Sequence, residues 1–147
     1  VTDDERLAAL CDRESIRTQI TRFGRYLDER RWEEYAALYC EDGVLELPFG
    51  SWTGRTSILA RVKADLAEYV ATQHVSANHD VEVDGDNARA RTTFIATHVT
   101  AEGGTAFWRG GGVYELELRR VDGAWQIARV AISPVWRSAT GAAFPAH

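Results

Sequence analysis

The residues of this sequence best suited to chemistry are an aspartate and a histidine far apart in the chain, Asp28 and His74. A carboxylate that holds an imidazole in one tautomer leaves the other ring nitrogen bare as a base near neutral pH. This is a common way for a protein without a cofactor to take a proton from carbon. Asp28 lies one residue past Leu27 and four past Gly24, so it continues the apolar stripe of a first helix to its C-terminal end. The helix macrodipole and partial burial both disfavour a carboxylate there, so Asp28 needs a partner. His74 opens the first long strand after the last helix, in Tyr69-Val70-Ala71-Thr72-Gln73-His74-Val75. The competing reading makes Asp28 a solvated helix-end residue and His74 a core histidine bonded to a backbone carbonyl. Pattern alone leaves both open.

The elements that must bring the two together follow from periodicity. Thr2-Asp3-Asp4-Glu5 has the form of a capping box, and Leu7, Leu10, Cys11, Ile16, Ile20, Phe23 and Leu27 recur at helical spacing. One long helix is expected, or two joined near Asp12 to Ser15. A second helix, Trp32 to Cys40, ends at a Glu41-Asp42-Gly43 turn. In the strand that follows, Leu45, Leu47 and Phe49 alternate on one face and Glu46 points outward. A third helix starts at Gly54, capped by Thr56 or Ser57, with Ile58, Leu59, Val62, Leu66 and Tyr69 on one side. From Thr72 the pattern turns to long strands reversed at Asp84-Gly85-Asp86, Gly103-Gly104 and Asp122-Gly123. Helices followed by an antiparallel meander predict an α+β domain, one domain over residues 1–147, with a curved sheet around the helices.

On the strand from Ala88 to Val99, alternation puts Ala88, Ala90, Phe94, Ala96 and His98 on one face and Arg89 and Arg91 on the other. His98 therefore faces inward, where a lone histidine is more often structural than catalytic. Tyr114 shares an inward face with Leu116 and Leu118, which core packing explains most simply. Trp52, Trp108, Trp125 and Trp136 are candidates for pocket walls or plain core. His79, beside an outward Asp80, and His147 carry less interest. Gly110-Gly111-Gly112 enters a strand rather than a helix, so it suits a bulge or a close backbone approach, not a phosphate loop.

Composition excludes several function classes. The net charge is −5 and the 17 basic residues are scattered, which gives no nucleic-acid surface. No apolar run approaches the roughly 20 residues of a membrane span, so a cytoplasmic protein with no membrane partner is expected. Cys11 and Cys40 stand in helical patterns without a second Cys or His at ligand spacing, and read as small core residues rather than metal ligands. No cofactor motif occurs.

Taken in order, Tyr26-Leu27-Asp28-Glu29-Arg30-Arg31-Trp32, Tyr39-Cys40-Glu41-Asp42-Gly43-Val44-Leu45, Thr72-Gln73-His74, Val83-Asp84-Gly85-Asp86-Asn87-Ala88 and Arg119-Arg120-Val121-Asp122-Gly123-Ala124-Trp125 resemble the SnoaL-like branch of the nuclear transport factor 2-like superfamily. The resemblance spans nearly the whole chain. It implies a cone-shaped, cystatin-like fold, three helices packed in a strongly bent, mainly antiparallel sheet around a deep pocket, and a homodimer or homotrimer. The same cone hosts enzymes and pure binding modules. Within the superfamily the chain looks most like the scytalone dehydratase and hexachlorocyclohexane dehydrochlorinase families: Asp28 and His74 match their active-site Asp and His, and His98 matches a second histidine of the dehydratases. The two water-holding tyrosines of the dehydratases fall at about Leu27 and Leu47-Pro48 here. Ketosteroid isomerases resemble the stretch Leu45 to Gly50, but their base position is Leu47. Limonene epoxide hydrolases need an Asp-Arg-Asp set on the sheet, for which Arg89 and Arg91 offer no inward carboxylate.

These observations together lead to the expectation of a cofactor-independent lyase or dehydratase acting on a small, apolar, cyclic or polyketide-like molecule. His74, held by Asp28, removes a proton from carbon; His98 or Arg129 stabilises or protonates the leaving group or enolate; Trp52, Trp108 and Tyr114 form walls. The same dyad would serve a cyclase or isomerase. A non-catalytic binding or scaffold domain, or an accessory subunit of an oxygenase, is the alternative from another class.

Overall fold

The computed structural model describes residues 1–140; His147 lies outside them. The order is α1 (Asp3–Asp28), α2 (Trp32–Ala37), β1 (Tyr39–Leu47), β2 (Gly50–Thr53), α3 (Arg55–Leu66), β3 (Ala71–Asp84), β4 (Asn87–Val99), β5 (Phe107–Val121) and β6 (Ala124–Thr140). The strands form one mixed sheet in the order β2-β1-β6-β5-β4-β3, antiparallel throughout except for the β1–β6 pair. The fold is α+β, as the sequence implies.

The capping box forms: Thr2 Oγ1 accepts from the Glu5 N–H at 3.2 Å, and Glu5 accepts from the Thr2 N–H at 2.7 Å. Three acidic residues in the first turn complement the macrodipole, and α1 is a single unbroken helix. Its 26 residues reach about 39 Å at ~1.5 Å each. Its first turns are not covered: Leu7 and Leu10 are 60 % exposed, and Cys11 is exposed rather than in the core. Further along, Ile16, Ile20, Phe23 and Leu27 are buried. At one end Asp12 accepts both Arg120 Nη groups at 2.9 and 3.0 Å and the Trp125 indole N–H at 3.0 Å. The Arg120 guanidinium is the main cause of a lowered Asp12 pKa. At the other end α1 lies on β3, so it crosses the inner face of the sheet and the sheet bends around it.

Four expectations are corrected by strand pairing. The second helix stops at Ala37 because the Ile127 N–H donates to Leu38 O at 2.8 Å, drawing Tyr39 and Cys40 into β1 beside β6. The Glu41-Asp42-Gly43 turn is instead an irregularity within β1; a Cβ on Gly43 would sit 3.0 Å from Cys40 O. The chain reverses after Leu47 into the unanticipated β2, which leaves Phe49 exposed. Finally, α3 is preceded by Gly54 at φ +88° with no side-chain cap, and neither Thr56 nor Ser57 has that role.

On β4 the alternation holds to the end: Ala88, Ala90, Phe94, Ala96 and His98 are buried, whereas Arg89 and Arg91 face out. The outer face carries opposed charges in register, Glu82 beside Arg89, Arg89 beside Glu117 and Glu117 beside Arg129. Gly111 and Gly112 mark a bulge between β5 and β6. Trp136 lies across Gly111, and the backbone of Ser133 and Pro134 crowds Gly112.

Candidate active site

Asp28 is the last residue of α1, and the turn that follows aims it. The Arg31 N–H donates to Tyr26 O at 2.8 Å and the Arg30 N–H to Leu27 O at 3.2 Å, a Schellman ending with Arg30 at φ 55° in the left-handed position that glycine usually fills. β3 runs beside this end of the helix, with Thr72 and His74 alternating onto its inner face. The approach is close because residue 24 is glycine: a Cβ there would lie 3.0 Å from His74 Cβ.

The Asp28 carboxylate receives three hydrogen bonds from β3. Oδ1 lies 2.7 Å from His74 Nδ1 and accepts the Thr72 hydroxyl at 3.0 Å, while Oδ2 accepts the backbone N–H of His74 at 2.8 Å. An ionised carboxylate only accepts, so it holds a proton on His74 Nδ1, and in the neutral ring Nε2 is then the unprotonated nitrogen. Arg30 donates to Thr72 Oγ1 at 3.3 Å, to Leu27 O at 3.2 Å and to Tyr69 O at 3.5 Å. Because Thr72 accepts from Arg30, its own proton is directed to Asp28. The dyad is largely enclosed, with 9 % of the His74 side chain and 22 % of the Asp28 side chain exposed.

His98 stands beside Thr72 on β4 and joins the dyad through an edge-to-face contact with His74, centroids 5.9 Å apart. Its ring stacks on Trp108 at 3.8 Å and 7°, with Tyr69 at 4.9 Å. Trp108 donates its indole N–H to the Tyr69 hydroxyl at 3.1 Å and carries the Arg137 guanidinium 5.0 Å from its ring. Trp108 thus backs His98 rather than offering a free platform. His98 Nδ1 is buried with no hydrogen-bond partner among the described residues. Burial first, then the proximity of His74, lowers the His98 pKa to about 3, so the imidazole is neutral in ordinary buffers.

Tyr114 lies deeper on the same inner face, 4 % exposed, stacked on Phe94 at 4.1 Å and meeting the Phe23 ring edge-on at 5.3 Å. Its hydroxyl makes no hydrogen bond with a described residue, whereas the neighbouring Tyr35 and Tyr39 hydroxyls bond each other at 3.0 Å. Burial pushes the Tyr114 phenol well above its usual range, with Tyr35 and the Asp28 charge adding to the effect.

Two expected site residues are elsewhere. Arg129 projects from the outer face, where its Nε and Nη2 donate to the Glu46 carboxylate at 2.8 and 2.6 Å, while its neighbour Val130 on β6 is buried. Trp52 is on β2, at the sheet edge opposite β3, with its ring against Phe49 and Arg61. Conversely, Thr72, Arg30, Tyr69 and Gly24 belong to the site although sequence reasoning gave them no part in it. Thr72 had a signal, being two residues from His74 on the same strand face. Two surface hollows, of about 330 Å³ among the outer charges and about 580 Å³ beside Gly54 and Arg55, include none of Asp28, Thr72, His74 and His98. Among the described residues no cluster of His, Cys, Asp and Glu is placed to hold a metal ion, and no helix is long and apolar enough to cross a membrane.

Comparison with known proteins places the chain in a family. A model of the SnoaL-like domain matches residues 8–131. A hexachlorocyclohexane dehydrochlorinase, LinA type 2, is similar with a TM-score of 0.82 at 21 % identity, over 99 % of this chain and 98 % of that one. A provisionally named scytalone dehydratase from Novosphingobium aromaticivorans DSM 12444 gives 0.81 at 22 % identity, over 92 % and 91 %. An NTF2-like protein with a cystatin-like fold from Novosphingobium aromaticivorans gives 0.78 at 28 % identity, over 90 % and 87 %. No curated protein matches the sequence.

Proposed function

The chain belongs to the SnoaL-like domain family, and on that premise we propose that it is a cofactor-independent lyase of the dehydratase type, acting on a small, largely apolar cyclic molecule. The observation that carries the reading is the 2.7 Å contact between His74 Nδ1 and Asp28, which in the neutral ring makes Nε2 the basic nitrogen. Nε2 takes a proton from a carbon next to a carbonyl, and the electron pair left behind forms an enolate. Asp28 accepts the Nδ1–H throughout and stabilises the imidazolium by charge. As the enolate collapses, the bond to a hydroxyl on the neighbouring carbon breaks. The proton held on Nε2 passes to that hydroxide, water leaves, and His74 returns to its starting state.

His98 is not the acid in this scheme. A neutral imidazole offers the leaving oxygen a hydrogen bond but no spare proton, so a single residue, His74, both removes and returns the proton. That economy favours a second reading on the same residues: a base whose proton has nowhere else to go also serves an isomerase, which returns the proton to a different carbon.

Deuterium exchange into 2-tetralone, an acidic cyclic ketone, tests the proposal by NMR in D2O. The wild type accelerates exchange next to the carbonyl, and His74→Ala loses ~10²- to 10⁴-fold of that acceleration. Equal rates for the two proteins would remove the reading and leave a binding domain of the same fold.

A further inference from the structure

Arg30 brings a positive charge to the edge of the dyad without pairing with its carboxylate. The guanidinium donates to three neutral oxygens, Leu27 O at 3.2 Å, Thr72 Oγ1 at 3.3 Å and Tyr69 O at 3.5 Å. Its neighbours Arg25 and Arg31 follow the ordinary course and pair with Glu29. Between the Arg30 cation and Asp28 stands one hydroxyl, that of Thr72, which is buried. A guanidinium can only donate and an ionised carboxylate can only accept, so the single Thr72 proton has one place to go, Asp28 Oδ1 at 3.0 Å. A hydroxyl that accepts from a cation becomes a stronger donor in turn.

The oxygen that receives this proton is the one that holds the imidazole. Oδ1 also lies 2.7 Å from His74 Nδ1, whereas Oδ2 takes the His74 backbone N–H at 2.8 Å. The ring and the backbone N–H already fix the carboxylate at both oxygens, so Thr72 is not needed to orient it. Thr72 instead competes with the ring for the charge of one oxygen. We propose that Arg30, acting through Thr72, restrains the Asp28 charge at Oδ1 and so keeps His74 from holding its proton too tightly. Both are positioning residues, which place the charge against which the imidazole works. The catalytic consequence rests on the reading of His74 as a carbon base that takes a proton and gives the same proton back. An imidazolium set against an unrestrained carboxylate forms readily and releases its proton slowly; the Thr72 hydroxyl dipole and the guanidinium behind it oppose the imidazolium and favour the return. The Arg30 charge reaches further into the site: burial and then the His74 ring are the main causes of the lowered His98 pKa, and Arg30 adds to them. The charged and titratable groups around the His74 ring are thus Asp28 from α1, Arg30 from the turn after it and a neutral His98 from β4, which leaves the balance between Asp28 and Arg30 to set its behaviour.

The test follows the His74 ring signal by NMR against pH in wild type, Thr72→Val, Thr72→Ser and Arg30→Gln, assigned with His74→Ala, and measures 2-tetralone exchange in the same proteins. Thr72→Val and Arg30→Gln move the midpoint of the His74 titration upward by roughly 0.5–1 pH unit, the scale of one hydrogen bond to a carboxylate. Exchange then falls about three- to tenfold more steeply than in wild type between about pH 8 and about pH 5.5, the same shift read as a rate. Thr72→Ser, which keeps the hydroxyl, restores the wild-type curve. A midpoint that stays or falls in Thr72→Val overturns the proposal whatever the exchange rates do, as does a Thr72→Ser protein that behaves like Thr72→Val, which would mean packing alone. Valine matches threonine in shape and suits a strand, so Thr72→Val decides the matter even if Arg30→Gln does not fold. The two readings fail separately. A raised midpoint in Thr72→Val with no exchange by wild type sinks the lyase and keeps the restraint on Asp28; exchange that depends on His74 with an unmoved midpoint keeps the base and sinks the restraint.

Discussion

Replacing Asp28 by Asn changes one atom and should reverse the polarity of the imidazole. The carboxylate accepts from Thr72, from the His74 ring and from the His74 backbone; an amide has one accepting end and one donating end. If the amide oxygen takes the Oδ1 place, the NH₂ group is pressed against the His74 backbone N–H across 2.8 Å, two donors that cannot invert. If it takes the Oδ2 place, the backbone bond survives and the NH₂ faces His74 Nδ1, which relieves the conflict only by moving the ring proton to Nε2. The second arrangement costs less, so Asp28→Asn is expected to keep its fold with Nε2 protonated and no base facing the interior. In that arrangement Thr72 loses its acceptor. At ~1.5–3 kcal/mol for a hydrogen bond to a charged group, with Asp28 partly exposed, a net loss of about 2–3 kcal/mol of stability follows. The exchange rate falls on the order of 10⁴-fold, as a wrong tautomer does in a comparable triad. Long-range ¹⁵N–¹H spectra of the imidazoles read the tautomer directly, and urea unfolding reads the stability. An Asp28→Asn protein that retains protonated Nδ1 in His74 would refute the reasoning.

Two further outcomes follow from the same geometry. The His98 pKa of about 3 lies below the ordinary 6.5, so between those values the unfolded chain binds a proton that the native state does not. Its contribution is full above pH ~6.5 and falls by up to ~1.4 kcal/mol per pH unit as pH drops towards 3. Urea melts at pH 7, 6 and 5 should therefore show wild type losing stability faster than His98→Gln, and parallel pH dependences would show that folded His98 protonates freely. Gly24→Ala should gain up to ~1 kcal/mol of helix propensity, yet its Cβ meets His74 Cβ at 3.0 Å. A melting temperature near that of wild type with a tenfold or greater loss of exchange is expected, and undiminished exchange would show that the contact does not position the base.

The sequence makes the inward faces legible because alternation is unambiguous on long strands: Ala88 to His98 and Tyr114 to Leu118 lie where period two puts them. The same logic brings Asp28 and His74 onto facing surfaces. It fails where an element's boundary is set by a partner remote in sequence. Helical spacing continues through Tyr39 and Cys40, but β6, some 90 residues on, claims them for the sheet, and no local pattern announces it. Arg129 shares the parity of the buried Trp125 and Ile127, but the β5–β6 register shifts between Ile127 and Arg129 and turns it outward to Glu46, which no local pattern announces. Arg30 was invisible for another reason: a left-handed arginine has no sequence signature, since glycine or asparagine is what that position usually advertises.

The last turn of α1 has its residues the wrong way round for a helix. Glycine stands at 24 inside it, where alanine would hold the helix better by ~1 kcal/mol, and arginine stands at 30, where glycine would adopt the left-handed backbone without the ~1–2 kcal/mol that other residues incur. Both inversions serve groups outside the helix, Gly24 by admitting His74 and Arg30 by reaching Thr72 and Tyr69. Left to itself this terminus would fray first, and it is β3 that keeps it wound. A stabilisation campaign guided by helix statistics would correct positions 24 and 30 before any others, gaining little in melting temperature while removing the contacts that hold Asp28, Thr72 and His74 together.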